Sequence, residues 1–255
     1  MLVERVQATG ARAVQLALVP VADWEGAWGD TFARLADAGI EVASGMLETV
    51  GEDYSTLETI RATGGVVPDA TWPATRARAG EVARIAGKHG VKLVTFHAGF
   101  IPHERGAQQD ALFARLREIA RLFADHGARI AFETGQESAE TLAHALDLLG
   151  EDTIGVNFDP ANMILYGMGD PVAAVARLAP RIAQVHIKDA LPTATPGTWG
   201  SEVRVGTGAV DWQAFLAAID RVPATVRLAV EREAGDDRID DIRAAMELLA
   251  RHGVV

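Results

Sequence analysis

Residues 129–188 read RIAFETGQESAETLAHALDLLGEDTIGVNFDPANMILYGMGDPVAAVARLAPRIAQVHIK, and three runs inside them decide the fold. RIAFE (Arg129–Glu133), TIGVNFD (Thr153–Asp159) and IAQVHIK (Ile182–Lys188) are short, apolar and rich in β-branched residues, the pattern of strands. Between them, Ser138–Leu149 and Pro171–Leu178 carry helical spacing. Ser138 and Asp170 stand as N-caps, Pro171 sits in a first turn, and Gly150 follows as a stop. Near-continuously apolar strands alternating with helices predict a parallel sheet covered by helices.

The alternation extends in both directions. Strands are expected over Ala13–Val19, Glu41–Glu48 and Lys92–His97, and helices over Trp28–Ala38, Ala74–His89 and Gln108–His126. Downstream, Asp211 caps a helix over Trp212–Ile219, Val226–Glu231 is a strand, and Ile239–His252 is the closing helix. Thr49–Pro73 and Leu191–Val210 read as long loops of the kind that are often functional. No linker interrupts the pattern, so residues 1–255 are expected to form one α/β domain. Seven strands, each followed by a helix, predict a (β/α)8-type TIM barrel that lacks its first strand. Met1–Thr9 reads as a helix running straight into the first strand present. The missing strand then lies upstream, or the barrel is open, or a partner chain covers the gap. An open Rossmann-like sheet is the structural alternative, but no G-x-G-x-x-G follows a strand.

Composition narrows the function. With 49% apolar residues the chain can bury a large core. The absence of cysteine excludes a disulfide scaffold, thiolate metal sites and a cysteine nucleophile. Lys and Arg total 24 against 35 Asp and Glu, a net charge of −11, which argues against a nucleic-acid partner. No apolar run approaches the roughly 18 residues that span a bilayer, and no secretory leader is visible. The expected setting is cytoplasmic and the expected partner a small molecule.

Four of the strands end in a residue able to bind a metal: Glu133, Asp159, His186 and Glu231. The intervals are 26, 27 and 45 residues, one βα unit twice and then one unit plus the long loop after Lys188. Each is read as following alternating apolar positions that point into the barrel. All four are then expected at the C-terminal mouth, where the active sites of this architecture lie. Three carboxylates and an imidazole supply hard oxygen and nitrogen ligands for one divalent ion, Mn²⁺ first, with Mg²⁺, Co²⁺ or Zn²⁺ as alternatives. Without a cation, three converging carboxylates would repel one another out of water.

The segments FETGQE, VNFDPANMI, QVHIKDA, VGTGAVDW and VERE resemble the xylose-isomerase-like TIM-barrel superfamily, in its sugar phosphate isomerase/epimerase group. The likeness covers the chain from about Met1 to its end. It implies that Glu133, Asp159, His186 and Glu231 hold the shared metal, and that Glu133 and Glu231 also act as the acid/base pair. It implies a metal-dependent sugar isomerase or epimerase that abstracts a proton next to a carbonyl and passes through a metal-stabilised enediolate. A lyase or dehydratase acting on a keto-sugar or inosose is the alternative in the same site. It also implies a sugar or polyol substrate and a homo-oligomer, to which an open sheet edge adds a physical reason. An endonuclease-IV-like repair enzyme is set aside, because His186 is the one clear histidine ligand and the chain is acidic.

Four further residues are candidates for substrate binding. His97 ends a strand in FHAGF. Lys188 follows His186 by two and so faces the same side. Asn162 stands where free-ketose epimerases carry a substrate-contacting His, and Pro192 where they carry an Arg. Arg204, in the long loop, is the candidate replacement for that Arg. Trp24 and Trp28 fall where a mouth-covering loop belongs, Trp199 is placed to stack on a sugar, and Trp212 reads as packing.

Overall fold

The structure is a computed structural model and describes residues 2–19, 28–102 and 104–254. Among the described residues are ten α-helices, and seven strands stand in parallel pairings. No helix among them is long and apolar enough to cross a membrane. The chain forms two compact units. The first comprises Met1–Gln7, Ala11–Phe132 and Leu146–Gly155, and the second Ala8–Gly10, Glu133–Ala145 and Val156–Val255.

In the first unit α1 (Leu2–Thr9) leads into β1 (Ala13–Ala17). Then come α2 (Thr31–Asp37), β2 (Glu41–Met46), α3 (Leu57–Thr63), α4 (Trp72–His89), β3 (Leu93–Phe96), α5 (Ala107–Ala124) and β4 (Arg129–Glu133). The ends of α1 and β4 fall in the second unit. β1 pairs with β2, β2 with β3, and β3 with β4, the last in register from Leu93 opposite Arg129 to Phe96 opposite Phe132. Leu35, Ile60, Val82, Ile85, Val94, Leu116, Ile119 and Phe123 are fully buried, each worth about 1.5–3 kcal/mol of apolar transfer. Gly90 stops α4 with a left-handed φ of 73°, as its position after His89 suggested.

The stretch Thr49–Pro73 is not the plain loop the sequence suggested, because α3 lies within it. Thr56 caps this helix. Its hydroxyl accepts from Thr59 N at 3.0 Å while the Thr59 hydroxyl accepts from Thr56 N at 2.9 Å. A capping box usually shows Glu or Gln at its fourth position, and here a second threonine does that task. α2 starts at Thr31 rather than Trp28, and Trp24 lies outside the described residues.

The second unit continues with α6 (Ala139–Leu149), whose last turn falls in the first unit, and β5 (Ile154–Phe158), which enters from it. Next are α7 (Pro160–Tyr166), α8 (Pro171–Leu178), a 3-10 turn at Ala179–Arg181 and β6 (Ile182–Ile187). The unit ends with β7 (Asp189–Leu191), β8 (Ser201–Val203), α9 (Trp212–Ile219), β9 (Arg227–Val230) and α10 (Arg238–Arg251). Two elements depart from expectation. α7 was not anticipated, although Asp159 caps it and Pro160 opens it. The Leu191–Val210 loop contains β8, which pairs antiparallel with β7. The predicted caps form. Ser138 Oγ accepts from Thr141 N at 3.2 Å, Asp170 Oδ1 from Val172 N at 3.0 Å and Asp211 Oδ1 from Ala214 N at 3.0 Å.

The register of β5, β6 and β9 positions the site. Asn157 lies opposite Gln184, and His186 opposite Ala229. Side chains alternate across a strand, so Asn157, Gln184, His186 and Ala229 mark one face, and Asp159, Lys188 and Glu231 continue it. The other face carries Phe158, Val185 and Ile187, all fully buried. Phe158 there lies 5.8 Å from Phe215 of α9, which Trp212 meets edge-on at 5.7 Å.

Candidate metal centre

The face just described was expected to lead up to each candidate ligand through apolar residues. That holds before Glu133 and Glu231, where Ala131 and Ala229 precede by two. It fails before Asp159 and His186, where the residues are Asn157 and Gln184, both almost completely buried. Their amides do specific work. Asn157 Nδ2 donates to Glu133 Oε2 at 3.2 Å and stands 3.1 Å from His186 Nε2, and Gln184 Nε2 donates to Asn157 Oδ1 at 3.2 Å. A ladder of buried amides thus orients the carboxylate and the imidazole, the kind of outer support that metal ligands ordinarily need.

Glu133, at the end of β4, is also held on its other oxygen. Asn162 Nδ2 donates to Glu133 Oε1 at 2.8 Å. Asn162 reaches it because Asp159 starts α7 there, accepting from Asn162 N on Oδ1 at 2.9 Å. Thr134 ties the two strand ends together. Its hydroxyl donates to Asp159 O at 3.0 Å and accepts from Asp159 N at 2.8 Å. Gly135 follows at φ 137°, where a Cβ would fall 2.7 Å from Asn162 Cβ and 3.0 Å from Tyr166, so a side chain there would push α7 away.

His186 Nδ1 faces three carboxylate oxygens: Glu231 Oε2 at 3.2 Å, Glu133 Oε1 at 3.5 Å and Asp159 Oδ2 at 3.5 Å. One donor atom from each of the four residues lies within 4.8 Å of every other. Burial alone would lower the His186 pKa, but the charges of Glu231 and Glu133 outweigh it and hold the imidazolium well above its ordinary range. Burial likewise works against ionisation of Glu231, yet His186 and Lys188 overcome it and lower its pKa.

The donor set suits a divalent ion. Asp159 Oδ2 is buried and accepts no hydrogen bond among the described residues, although it faces the cluster. The three carboxylates converge on His186 Nδ1, and a divalent cation bound by the four residues would displace the His186 proton and offset the carboxylate charge in its place. Oxygen and imidazole donors favour hard or borderline ions over soft ones.

The other candidates fall as follows. Lys188 is 2% exposed and bonds Glu231 Oε2 at 2.9 Å, so it is part of the cluster, as is Asn162. His97 follows β3 in the first unit, its ring 6.2 Å from that of Tyr54. Arg204 stands 3.9 Å from Asp241 with its side chain about half exposed. Trp199 meets Tyr166 edge-on at 4.8 Å, and Trp28 is exposed. Trp212 is buried packing, as expected, with its indole N–H given to Asp189 at 3.0 Å.

Besides Asn157 and Gln184, sequence reading missed three more residues here. Glu233 Oε2 lies 2.5 Å from Lys188 Nζ; its signal was its place two residues after Glu231. Glu137, on the loop after β4, is 7% exposed, and burial raises its pKa to about 8. Asp189 is fully buried and accepts from Ala190 N at 2.9 Å, Gly206 N at 2.9 Å, Gly208 N at 3.0 Å, Val210 N at 3.2 Å and Trp212 Nε1. A Cβ at Gly208 would fall 2.1 Å from Asp189 Oδ1, so this approach requires glycine. One carboxylate next to the cluster therefore shapes the end of the long loop.

A family model described as xylose isomerase-like TIM barrel matches residues 3–252. The chain belongs to this family. The barrel expected from the strand alternation is the family's fold. A xylose isomerase domain protein from Planctomyces limnophilus is 32% identical, covers 97% of this chain and 90% of its own, and superimposes with a TM-score of 0.91. The probable 3-DHS dehydratase AsbF from Bacillus anthracis (16% identity, 98% and 92% covered, TM-score 0.73) shares the fold. So does D-psicose 3-epimerase from Clostridium cellulolyticum (13% identity, 99% and 92% covered, TM-score 0.71). Among curated proteins, the uncharacterized protein YihM of Escherichia coli is 29% identical over 167 residues, 62% of this chain. The chain spans about half the length of that relative.

Proposed function

We propose that this family member is a divalent-metal-dependent sugar isomerase or epimerase, with residues 1–255 as one catalytic domain. The observation that carries the reading is the convergence of Glu133, Asp159, His186 and Glu231, with two glutamates among four donors that lie within 4.8 Å of one another. Glu133, Asp159, His186 and Glu231 would hold the ion, which would supply Lewis-acid polarisation of a substrate carbonyl. Mn²⁺ is the ion we favour.

The chain's own groups supply the proton transfers. One of the two glutamates removes the proton on the carbon next to the carbonyl, and the other returns a proton. Return to the opposite face gives an epimer, and return to a neighbouring atom gives an isomer. Glu133 is suited to either task because Asn162 and Asn157 hold its two oxygens in place. Lys188 and Asn162 are assigned to substrate oxygens beside the cluster, with His97 and Arg204 as further substrate-binding candidates. The substrate class is a sugar or polyol, unphosphorylated or oxidised, and the assembly a homo-oligomer in the cytoplasm.

A lyase or dehydratase reading is favoured by one specific departure. Asn162 and Pro192 replace the His and Arg that mark free-ketose epimerases, and loss of a β-hydroxyl needs the same enediolate. Chelated and Mn²⁺-reconstituted protein should be incubated in D₂O with ketoses, inososes and 3-keto-sugars. Metal-dependent deuterium uptake next to a carbonyl is expected, and the product separates epimer from elimination. No exchange with any substrate of the panel would contradict the enolisation chemistry.

A further inference from the structure

Two charged side chains outside the four donors bear directly on them. Lys188 Nζ stands 2.9 Å from Glu231 Oε2, 2.5 Å from Glu233 Oε2 and 3.9 Å from Asp159 Oδ2. Glu231 Oε2 is the same atom that faces His186 Nδ1 at 3.2 Å, and Asp159 Oδ2 is the buried oxygen that accepts no hydrogen bond among the described residues. A cation held by the four donors and the Lys188 ammonium thus draw on the same two oxygens. The Lys188 side chain is 2% exposed, so water screens its charge weakly; that of Glu233 is 68% exposed.

Glu233 is nonetheless held in place. Its backbone N–H donates to Glu202 Oε1 at 3.1 Å, and the same carboxylate oxygen accepts from Arg232 Nη1 at 2.6 Å. Arg232 Nε in turn donates to Asp241 at 2.8 Å. This nearly buried network fixes the chain just beyond Glu231 and keeps Glu233 within reach of the ammonium.

We propose that Lys188 and Glu233 together set the affinity of the centre for a divalent ion. Lys188 weakens binding by holding a fixed positive charge against Glu231 and Asp159. Glu233 restores part of that affinity by sharing the ammonium from the solvent side. The pair keeps the charge of the cage partly neutralised, so that an ion is held without being trapped. This rests on the metal reading above.

The test is a Mn²⁺ titration by calorimetry of chelator-treated wild type, K188M, E233Q and the double variant at fixed ionic strength. K188M is expected to bind about tenfold or more tightly, because a like charge a few ångströms from the ion is gone. E233Q is expected to bind roughly threefold to tenfold more weakly, and to change affinity less than about twofold when K188M is already present. Unchanged or weaker binding by folded K188M overturns the proposal, as does an E233Q effect of equal size in both backgrounds. Should K188M fail to fold, E233Q decides alone: weaker binding supports the proposal and unchanged binding overturns it. Absence of Mn²⁺ binding by the wild type would overturn the metal reading and this inference with it. Wild-type binding that the variants leave unaltered would overturn this inference only.

Discussion

The two units bury polar side chains in different ways. In the first, the buried polar groups on the strands are neutral. They are Ser44 and Thr95, and Thr95 Oγ1 accepts from half-buried Gln15 Nε2 at 2.8 Å. Where such neutral groups pair, as Gln15 and Thr95 do, losing one leaves a single unmet bond. In the second unit ionisable groups are buried as well, beside neutral Thr134, Gln136, Asn157, Asn162 and Gln184: Glu133, Glu137, Asp159, His186, Lys188 and Asp189. Buried charge is retained only when paired, bonded to several donors, or neutralised. Asp189 takes the second route with its five N–H donors, Glu137 the third, and the cluster at Glu133, Asp159 and Glu231 gathers cations. Neutral polarity in one unit serves the sheet, and charged polarity in the other builds the candidate metal centre.

The sharpest way to break this contrast is at the two glutamates. On the proposed mechanism, Glu133→Gln and Glu231→Gln should each lower turnover by about 10³-fold with circular dichroism unchanged, because each would remove a group assigned to proton transfer. Steady-state kinetics on whichever substrate exchanges in D₂O checks this. Turnover within tenfold of wild type would remove the acid/base assignment.

Glu137 tests the cost of buried charge. Its folded pKa, raised to about 8 by burial, exceeds the ordinary value of 4.5, so the folded state binds this proton more tightly than the unfolded chain. Its contribution to stability is fully present below pH 4.5 and is lost as pH rises towards 8, at about 1.4 kcal/mol per pH unit. Glu137→Gln keeps the shape without the ionisation. The difference in unfolding free energy between variant and wild type should therefore grow by several kcal/mol between pH 5 and 8, read by urea denaturation. A constant difference would show that Glu137 ionises freely.

Asp189→Ala strips the acceptor from five donors and should destabilise the protein by about 3 kcal/mol or more, also read in urea. The smallest effect belongs to the first unit. Thr95→Val leaves Gln15 short of one acceptor, so about 1 kcal/mol of stability should go while turnover stays within twofold. A large loss of activity there would place chemistry in both units.

Much of this was legible because period-two alternation and βα spacing are local signals. Arg129–Glu133 and Pro171–Leu178 have the predicted bounds, and the four donors predicted to meet do meet. What escaped has physical reasons. The threonine capping box at Thr56 lacks the usual acidic partner, so α3 was hidden among glycines and prolines. The Asp159 cap with Pro160 did announce α7, but its seven residues are too few to show periodicity. Asn157 and Gln184 break the apolar expectation because they orient Glu133 and His186 rather than fill a core. The partners of Asp189 are mostly backbone amides 17 to 21 residues away, which leave no mark in the pattern of side chains.

The central claim is that four strand-end side chains form one cation site, and equilibrium titration with Mn²⁺ tests it most directly. Metal-free wild type should bind one ion per chain, and Asp159→Asn, which replaces the charged oxygen facing His186, should weaken that binding by about 100-fold or abolish it. Failure of the wild type to bind, or equal binding by the Asp159→Asn variant, would contradict the account.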